Sequence, residues 1–392
     1  MKIVITGYTY TRENLFDVFE SYPHKDELFF ILPGNWSAKG GTVKFPPFQR
    51  KEFKIWNSPA YFTHSHYPFI GGLLKGWMPF MPVRLMWLRM TEGVDILFTA
   101  GEPNLLSTLY NACWAKLLGM KHVFHYWENI PYELKDKGLK LLFKRLIIKM
   151  TLALSDGAVC GMHKAEDILR SFNSNIKIGT FLHAGFDEHR FKPNLELSLR
   201  KKLKWDSKII FLFVGALGYR KGIHVAIKSL AELSKNRDDL AMVIVGGGEY
   251  GAELHKLTKD LGLESQVHFI PWIANDRLPE IYNSCDIFLY PSIPYQGWEE
   301  QFGYSIAEAS LCELPVISTK SGSIYEAVKN GTTGYLIPPD NQAALTDAMV
   351  RLADDRELRK RLGRNGRIFI VENFSNTIIA DKLRNLFKSL LS

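Results

Sequence analysis

Short apolar, β-rich runs alternate with amphipathic helical patterns from one end of the chain to the other, and no other feature restricts the fold as strongly. Runs without a polar face belong to strands covered on both sides, as in parallel sheets joined by helical crossovers. In the first half such runs fall at residues 2–5, 28–32, 96–99, 122–125 and 157–159. In the second half they fall at 209–214, 242–245, 267–269, 287–290 and 316–318. Each set suffices for a sheet of its own. The expected fold class is therefore α/β, with two doubly wound parallel-sheet, Rossmann-like domains. A length of 392 residues accommodates both. The joint is expected near residues 191–205, where Phe-Lys-Pro runs into a charged, helix-favouring stretch. That divides the chain into residues 1–193, residues 194–374, and a terminal amphipathic helix at 375–392 that packs back on the first domain.

Composition narrows the class. The chain is 46% hydrophobic and 23% charged with no low-complexity block, which sets aside disordered and fibrous proteins. A net charge of +8 suits an anionic partner: nucleic acid, an anionic membrane or a phosphorylated small molecule. No helix-turn-helix, RNP-like aromatic motif or Cys/His zinc spacing supports nucleic acid. The four cysteines, Cys113, Cys160, Cys285 and Cys312, form no C-x-x-C pair and sit in apolar surroundings. They read as reduced, buried thiols of a cytoplasmic chain. The opening MKIVITGY reads as a first core strand rather than a leader. No run of about 18 apolar residues is available to span a membrane.

Open parallel sheets bind ligands at the carboxyl ends of their strands, and three strand ends here carry unusual chemistry. The first is PSIPYQGWEEQFGYSIAEASLCELPVIS, from Pro291. Its strand ends in a Pro/Gly-rich loop holding Glu300, and a helix is expected from about Phe302, with Glu308 two turns further on. Backbone N–H groups of Phe302, Gly303 and Tyr304, together with the helix dipole, make an anion site suited to a diphosphate. Gly303 permits close backbone approach. Glu300 and Glu308 can then accept hydrogen bonds from hydroxyls on either side, Glu300 from a sugar and Glu308 from a ribose. By spacing alone, the pair also fits a dipole-favoured surface acid and a solvated helix residue. The second strand end is VGALGYRKGIHVAIKSL. After Gly215 a loop delivers Arg220 and Lys221 to the start of a helix, where cations oppose the dipole unless an anion lies between them. The third, VGGGEYGAELHKL, turns sharply at its glycines but lacks the G-x-G-x-x-G spacing of a dinucleotide fold.

In order and spacing these elements resemble the retaining glycosyltransferases of the large two-Rossmann-domain class, family 4. The set comprises GxxxxRKG after one strand, GGG after the next, and E-x7-E enclosing Phe-Gly, followed by ELPVIS. AGFDEHRFKP is similar to the family's hinge segment, and DIFLYPS and GTTGYLIPPDN match in place. The resemblance covers residue 157 onward, and the first half only in outline. It implies two domains facing a central cleft, with the acceptor side on the first and a nucleoside-diphosphate sugar on the second. Lys221, with Arg220 beside it, would bind the diphosphate, Glu308 the ribose and Glu300 the transferred sugar. The backbone at Phe302, Gly303 and Tyr304 would contact the phosphates. In the first half, Gly7 opens a loop, GYTYTREN, that would face the diphosphate, and His125 of HYWEN would lie near the sugar. A core or capping histidine fits that position as well. Ala216 departs from the family by standing where many members carry an arginine, whose charge Arg220 would replace. Ala184 stands where the hinge segment usually has Asn.

The resemblance implies sugar transfer with retention, from a UDP-sugar or, second, a GDP-sugar, to a hydroxyl of a glycan or lipid-linked acceptor. Polysaccharide or glycolipid biosynthesis is the setting. The catalytic residues would be His125, Glu300 and Lys221. No D-x-D is present, so the expected chemistry is metal-independent, with no cofactor beyond the donor substrate. The competing readings are a sugar-nucleotide epimerase of similar fold and a catalytically inactive transferase-like subunit at a membrane. LKLLFKRLIIKM, residues 139–150, bears on the last point. At about 100° per residue, Lys140, Lys144, Arg145 and Lys149 share one half of the helix, and Leu139, Leu142, Phe143, Leu146, Ile147 and Met150 the other. That pattern fits either a core-packed helix with a solvated basic face or a surface for anionic lipid at the inner face of the cell membrane. The aromatic, basic region 77–90 adds to the second.

Overall fold

In the computed structural model, which describes residues 1–38, 41–44, 50–63, 73–172, 175–194 and 198–392, the apolar runs become the strands of two parallel sheets. The first sheet draws on β1 (Ile3–Thr6), β2 (Leu28–Pro33), β5 (Lys54–Ser58), β6 (Ile96–Thr99), β7 (Lys121–Tyr126), β8 (Gly157–Cys160) and β9 (Lys177–Thr180). An antiparallel hairpin, β3 (Asn35–Ala38) and β4 (Gly41–Lys44), leaves the path between β2 and β5. The strand order is β5-β2-β1-β6-β7-β8-β9, with Ile3 beside both Leu28 and Ile96. The second sheet contains β10 (Ile209–Val214), β11 (Leu240–Val245), β12 (Val267–Ile270), β13 (Ile287–Tyr290), β14 (Val316–Thr319) and β15 (Gly334–Ile337), in the order β12-β11-β10-β13-β14-β15.

Every strand read from an apolar run is present. The ones that sequence reading passed over in these sheets, β5, β9 and β15, all lie at sheet edges. An edge strand is covered less completely, so it does not need an unbroken apolar run. Lys54 and Lys177 begin two of them and are exposed.

Strand order reverses between β1 and β6 in the first sheet and between β10 and β13 in the second. Such switch points open a crevice at the carboxyl ends of the strands. Gly7 follows β1 directly and Gly215 follows β10, so both sequence-selected glycines stand at switch points. Glu300 lies on the loop after β13, the other strand flanking the second crevice.

The chain divides into two units, residues 1–185 with 376–392, and residues 186–375. The terminal helix Asn376–Leu391 contributes to the first unit, burying Ile379, Ala380, Leu383 and Phe387 against the helix Glu13–Glu20 and β9. The Phe387 ring meets Phe98 edge-on at 5.6 Å. Ile379, Leu383 and Phe387 each contribute about 1.5–3 kcal/mol of transfer free energy. Residues 186–193 pack with the second unit. Phe186 N–H donates to Phe374 O at 2.9 Å, and the Arg367 guanidinium donates to the carbonyls of Phe191 and Glu188 at 3.0 and 3.1 Å.

The helix Gly138–Leu154 buries a different set of residues from the one its periodicity suggests. Ile147, Ile148, Thr151 and Leu152 are buried. Leu139, Leu142, Phe143, Leu146 and Met150 are exposed, Leu139 by 84% and Leu142 by 65%. Most of the apolar half identified from the sequence therefore faces solvent rather than the core. Of the other membrane-related region, 77–90, residues Phe80, Val83, Met86, Trp87 and Met90 are exposed. No helix among the described residues is long and apolar enough to cross a membrane. All four cysteines are free, with Cys160, Cys285 and Cys312 buried.

Candidate active site

In the second unit, β10, β13 and the loops after them bring Lys221, Tyr290, Ser292 and Glu300 together. Lys221 sits on a single 3₁₀ turn, Tyr219–Lys221, that leads into the helix Ile223–Leu233. Its ammonium forms a buried ion pair with the Glu300 carboxylate. It also lies 2.5 Å from the Tyr290 hydroxyl, which donates to Glu300 Oε2 at 2.8 Å. An ammonium has three N–H donors, and among the described residues two are taken, by Tyr290 and Glu300, leaving one for a further acceptor. Burial pulls the Lys221 ammonium below the ordinary lysine range, and Glu300 opposes that shift. Burial, followed by the Glu300 charge, pushes the Tyr290 phenol well up, so it remains a donor.

Arg220 points elsewhere. Its guanidinium stacks on the Trp298 ring at 3.7 Å, and its Nη1 has no hydrogen-bond partner among the described residues. Its carbonyl fixes the neighbouring loop by accepting from Ile293 N–H at 2.8 Å and the Ser292 hydroxyl at 3.1 Å. A buried guanidinium nitrogen without an acceptor is costly, and an anion would satisfy it.

The helix after Glu300 runs over Tyr304–Leu311, two residues later than expected. Phe302 is taken up in packing instead: its ring stacks on Phe186 at 6.1 Å and meets Phe374 at 5.1 Å. Gly303 then caps the helix with φ of 81°, a left-handed conformation that favours glycine. Glu308, on this helix, accepts from the Tyr282 hydroxyl at 2.7 Å. Burial pushes its carboxyl up to about 7, outweighing Tyr282 and the nearby Arg190, so it is not a solvated surface acid.

The loop after β14 completes the surroundings of Glu300. Ser323 N–H donates to the Glu300 carbonyl at 3.0 Å, and the buried Ser321 and Ser323 hydroxyls have no partner among the described residues. Gly322, at φ of 57°, lies so close that a Cβ there would stand 1.8 Å from the Glu300 carbonyl oxygen. Gly322→Ala is expected to cost about 1–2 kcal/mol from its left-handed backbone alone, and more from that contact. Thermal denaturation checks this; an unchanged melting temperature would contradict it.

The first unit holds a separate cluster at the ends of β6 and β7. The His125 and His183 rings meet edge-on at 4.4 Å, with Trp127 at 5.4 and 5.1 Å from them. Both histidines are buried. His125 Nε2 and both ring nitrogens of His183 have no partner among the described residues. Burial, then the facing His183, holds His125 well below its ordinary pKa, and burial with Arg12 lowers His183 to about 4. Both rings are therefore neutral at neutral pH, each offering one donor and one acceptor. Beneath them Glu102 Oε1 accepts from Trp127 N–H at 2.9 Å, and burial with the Glu128 charge pushes this acid up to about 8. Gly7, with its loop running into the turn Tyr8–Thr11, belongs to this unit.

The second unit also matches a known family. Residues 196–369 match the family model described as glycosyl transferases group 1. Over these residues the second unit is similar to the glycosyl transferases group 1 family. Over 212 residues, 53% of its length, the chain is 29% identical to a GDP-mannose-dependent alpha-(1-6)-phosphatidylinositol monomannoside mannosyltransferase of Mycobacterium tuberculosis, of which 55% is covered. The chain is 28% identical over 336 residues to a D-inositol 3-phosphate glycosyltransferase of Stackebrandtia nassauensis, covering 78% of this chain and 73% of that one. For several of the curated relatives the match spans about half their length. Among solved structures, Anabaena HepE in complex with UDP matches with a TM-score of 0.73 at 18% identity, covering 99% of this chain and all of that one. At that identity the likeness is one of fold.

The second unit thus holds Lys221, Arg220, Glu300 and Glu308, with Phe302, Gly303 and Tyr304 around the helix start. His125 and Gly7 lie in the other unit. Sequence reading missed Tyr290, Ser292 and Trp298 in the second unit, and Glu102, Trp127 and His183 outside it. Tyr290 and Ser292 left a signal: hydroxyls closing an apolar strand in DIFLYPS. His183 left none, because its neighbours Phe181 and Leu182 are ordinary core residues.

Proposed function

We propose that the chain is a retaining glycosyltransferase that moves a sugar from a nucleoside-diphosphate sugar to a hydroxyl of a glycan or lipid-linked acceptor. The observation that carries this reading is the buried Lys221–Glu300 pair beside the unpartnered Arg220 Nη1, at the switch point of a unit similar to the glycosyl transferases group 1 family. A cation with one donor to spare and a guanidinium edge without an acceptor suit a diphosphate leaving group, whose negative charge grows as the glycosidic bond breaks. The N-terminus of the helix Tyr304–Leu311 adds a dipole of the right sign. Glu300, fixed by Lys221 and Tyr290, would accept from hydroxyls of the transferred sugar, and Glu308 from the ribose. His125 would contact the sugar from the first unit, where Gly7 opens the loop assigned to the diphosphate.

In this mechanism Glu300 is a ligand rather than a nucleophile, because its carboxylate is already committed to Lys221, Tyr290 and Ser292. The acceptor hydroxyl attacks from the leaving group's side, and a donor phosphate oxygen takes its proton. Charge neutralisation rests on Lys221 and Arg220, so the reaction is metal-independent. The donor is a UDP-sugar, with a GDP-sugar second. Trp272, 61% exposed and packed over Gly247 after β11, offers a surface for the base.

Thermal-shift titration against UDP-, GDP- and ADP-sugars tests the reading, since a donor that binds only the folded chain raises its melting temperature. Nucleotide-sugar hydrolysis by the purified protein separates an active transferase from an inactive subunit. Stabilisation by none of the donors would sink the proposal. The raised Glu308 adds a pH test. Its ionised form is the better acceptor for a ribose diol, so nucleoside-diphosphate affinity is expected to rise between about pH 6 and pH 8. Glu308→Gln should flatten that rise relative to the unmodified chain. For folding the sign is opposite. A carboxyl whose folded value lies above its unfolded one loses stability as pH climbs from 4.5 through about 7.

The exposed apolar residues of the helix Gly138–Leu154, flanked by Lys140, Arg145 and Lys149, support peripheral contact with anionic membrane. Flotation with anionic liposomes is expected to fall when Leu142, Phe143 and Leu146 are replaced by serine. Flotation that does not depend on anionic lipid would remove this contact from the proposal.

A further inference from the structure

The helix Met81–Glu92 starts with Pro82 in its first turn and stops at Gly93, whose φ of 68° ends it in a left-handed cap. It buries Met81, Leu85 and Leu88 in a cluster with Val4, Phe29 and Leu97. Its opposite side is also apolar. Phe80 is 60% exposed, Val83 63%, Trp87 45% and Met90 79%. Their spacing, at positions 80, 83, 87 and 90, puts them in one stripe along the helix. Isolated exposed apolar residues are ordinary, but a contiguous stripe of large ones marks a binding surface.

The stripe leads into a cavity of about 510 Å³ between the helix and the edge strand β5, within the size range of ligand sites. Ile31, Trp56, Phe80, Val83, Arg84 and Trp87 line it. Arg84 lies over both indoles, 5.0 Å from the Trp56 ring and 5.1 Å from the Trp87 ring, and the two rings meet at 72°. No carboxylate or carbonyl among the described residues accepts from its guanidinium. Stacking on aromatic faces satisfies the planar faces of a guanidinium but leaves its in-plane donors for an anion.

We infer that this cavity seats an amphiphile with a phosphate-type head group, its hydrocarbon chain against Trp56, Val83 and Trp87 and its phosphate on Arg84. A glycan alone would not require the apolar stripe outside the cavity, and a free phosphate would not require the indoles. Hydrocarbon and anion together match both features. The seat's role, to hold the lipid of a lipid-linked acceptor, rests on the transferase reading; its binding does not.

Decyl phosphate below its micelle concentration is the probe, followed by tryptophan fluorescence, with decyl maltoside and inorganic phosphate in parallel. Decyl phosphate is expected to saturate the signal, with the other two at least tenfold weaker. Arg84→Gln should weaken decyl phosphate about fivefold or more, and Val83→Asp by about tenfold or more. Ile368→Ser, at an exposed position of the second unit, should leave binding unchanged. Because Val83 is exposed and Arg84 unpaired, both variants should melt with the unmodified chain. Absence of decyl phosphate binding, equal binding of decyl maltoside, or indifference to Arg84→Gln would each overturn the seat. So would sedimentation as a dimer that Val83→Asp dissolves, since the stripe would then meet a second copy. Nucleotide-sugar stabilisation reports on the other unit. Its presence without decyl phosphate binding leaves the transferase reading standing without the seat, and the converse leaves the seat without the transferase.

Discussion

Lys221→Met is expected to lower turnover by about 10²–10³-fold, the usual effect of removing one preorganised group that faces developing charge. Stability falls at the same time. Lys221 and Glu300 are each only 9% exposed in their side chains, so the variant leaves a carboxylate buried with hydroxyl partners but no cation. Breaking a buried pair from one side costs about 3–5 kcal/mol, a large share of the 5–15 kcal/mol that holds a typical domain. Activity must therefore be measured per folded molecule, with denaturation curves run beside the assay. Methionine keeps the apolar stem that packs near Tyr290 and Trp298, so the loss is attributable to charge rather than to a cavity.

Glu300→Gln is expected to remove most turnover as well, about 10²-fold or more, while largely sparing affinity for the nucleoside diphosphate. The amide keeps the shape but accepts more weakly and no longer neutralises Lys221. Left without its counter-ion, the buried Lys221 loses the charge that opposes its downward shift, so it releases its proton more readily than in the unmodified chain. Pairing both changes distinguishes anchoring from chemistry. Lys221→Met with Glu300→Gln removes both charges together, and such double replacement is often neutral for stability. The double variant should recover most of the lost melting temperature and none of the lost turnover. Recovery of turnover, or unchanged turnover in either single variant, would refute the assigned roles.

The parts of the molecule legible in its sequence were those in which a single local rule acts. Central strands such as β10 and β11 announce themselves because burial on both faces demands an apolar run. Glu300 and Lys221 announce themselves through strand-to-loop position and order along the chain. Edge strands were lost because partial cover relaxes that demand. The helix start moved from Phe302 to Tyr304 because a tertiary contact, the stacking of Phe302 among Phe186 and Phe374, outweighed local pattern. The pairing of Lys221 with Glu300 spans 79 positions, and that of His125 with His183 joins two ordinary-looking strand ends. No sequence periodicity encodes contacts of that separation. The outward-facing leucines of the helix Gly138–Leu154 show the same limit, since periodicity tells that a helix has two faces but not which one meets the core.

The division of the chain also sets an order of assembly. The first unit needs the helix Asn376–Leu391, which follows the whole second unit along the chain, whereas the second unit is made of one continuous stretch. On a ribosome the second unit can be finished while the first still lacks the helix that covers Phe98. During that interval the patch awaiting Leu383 and Phe387 is open to chaperones and to other nascent chains, and closing it requires contacts between segments on either side of the second unit, which form slowly. The helix thus acts as a latch: the first unit reaches its final form only after the whole second unit has been made.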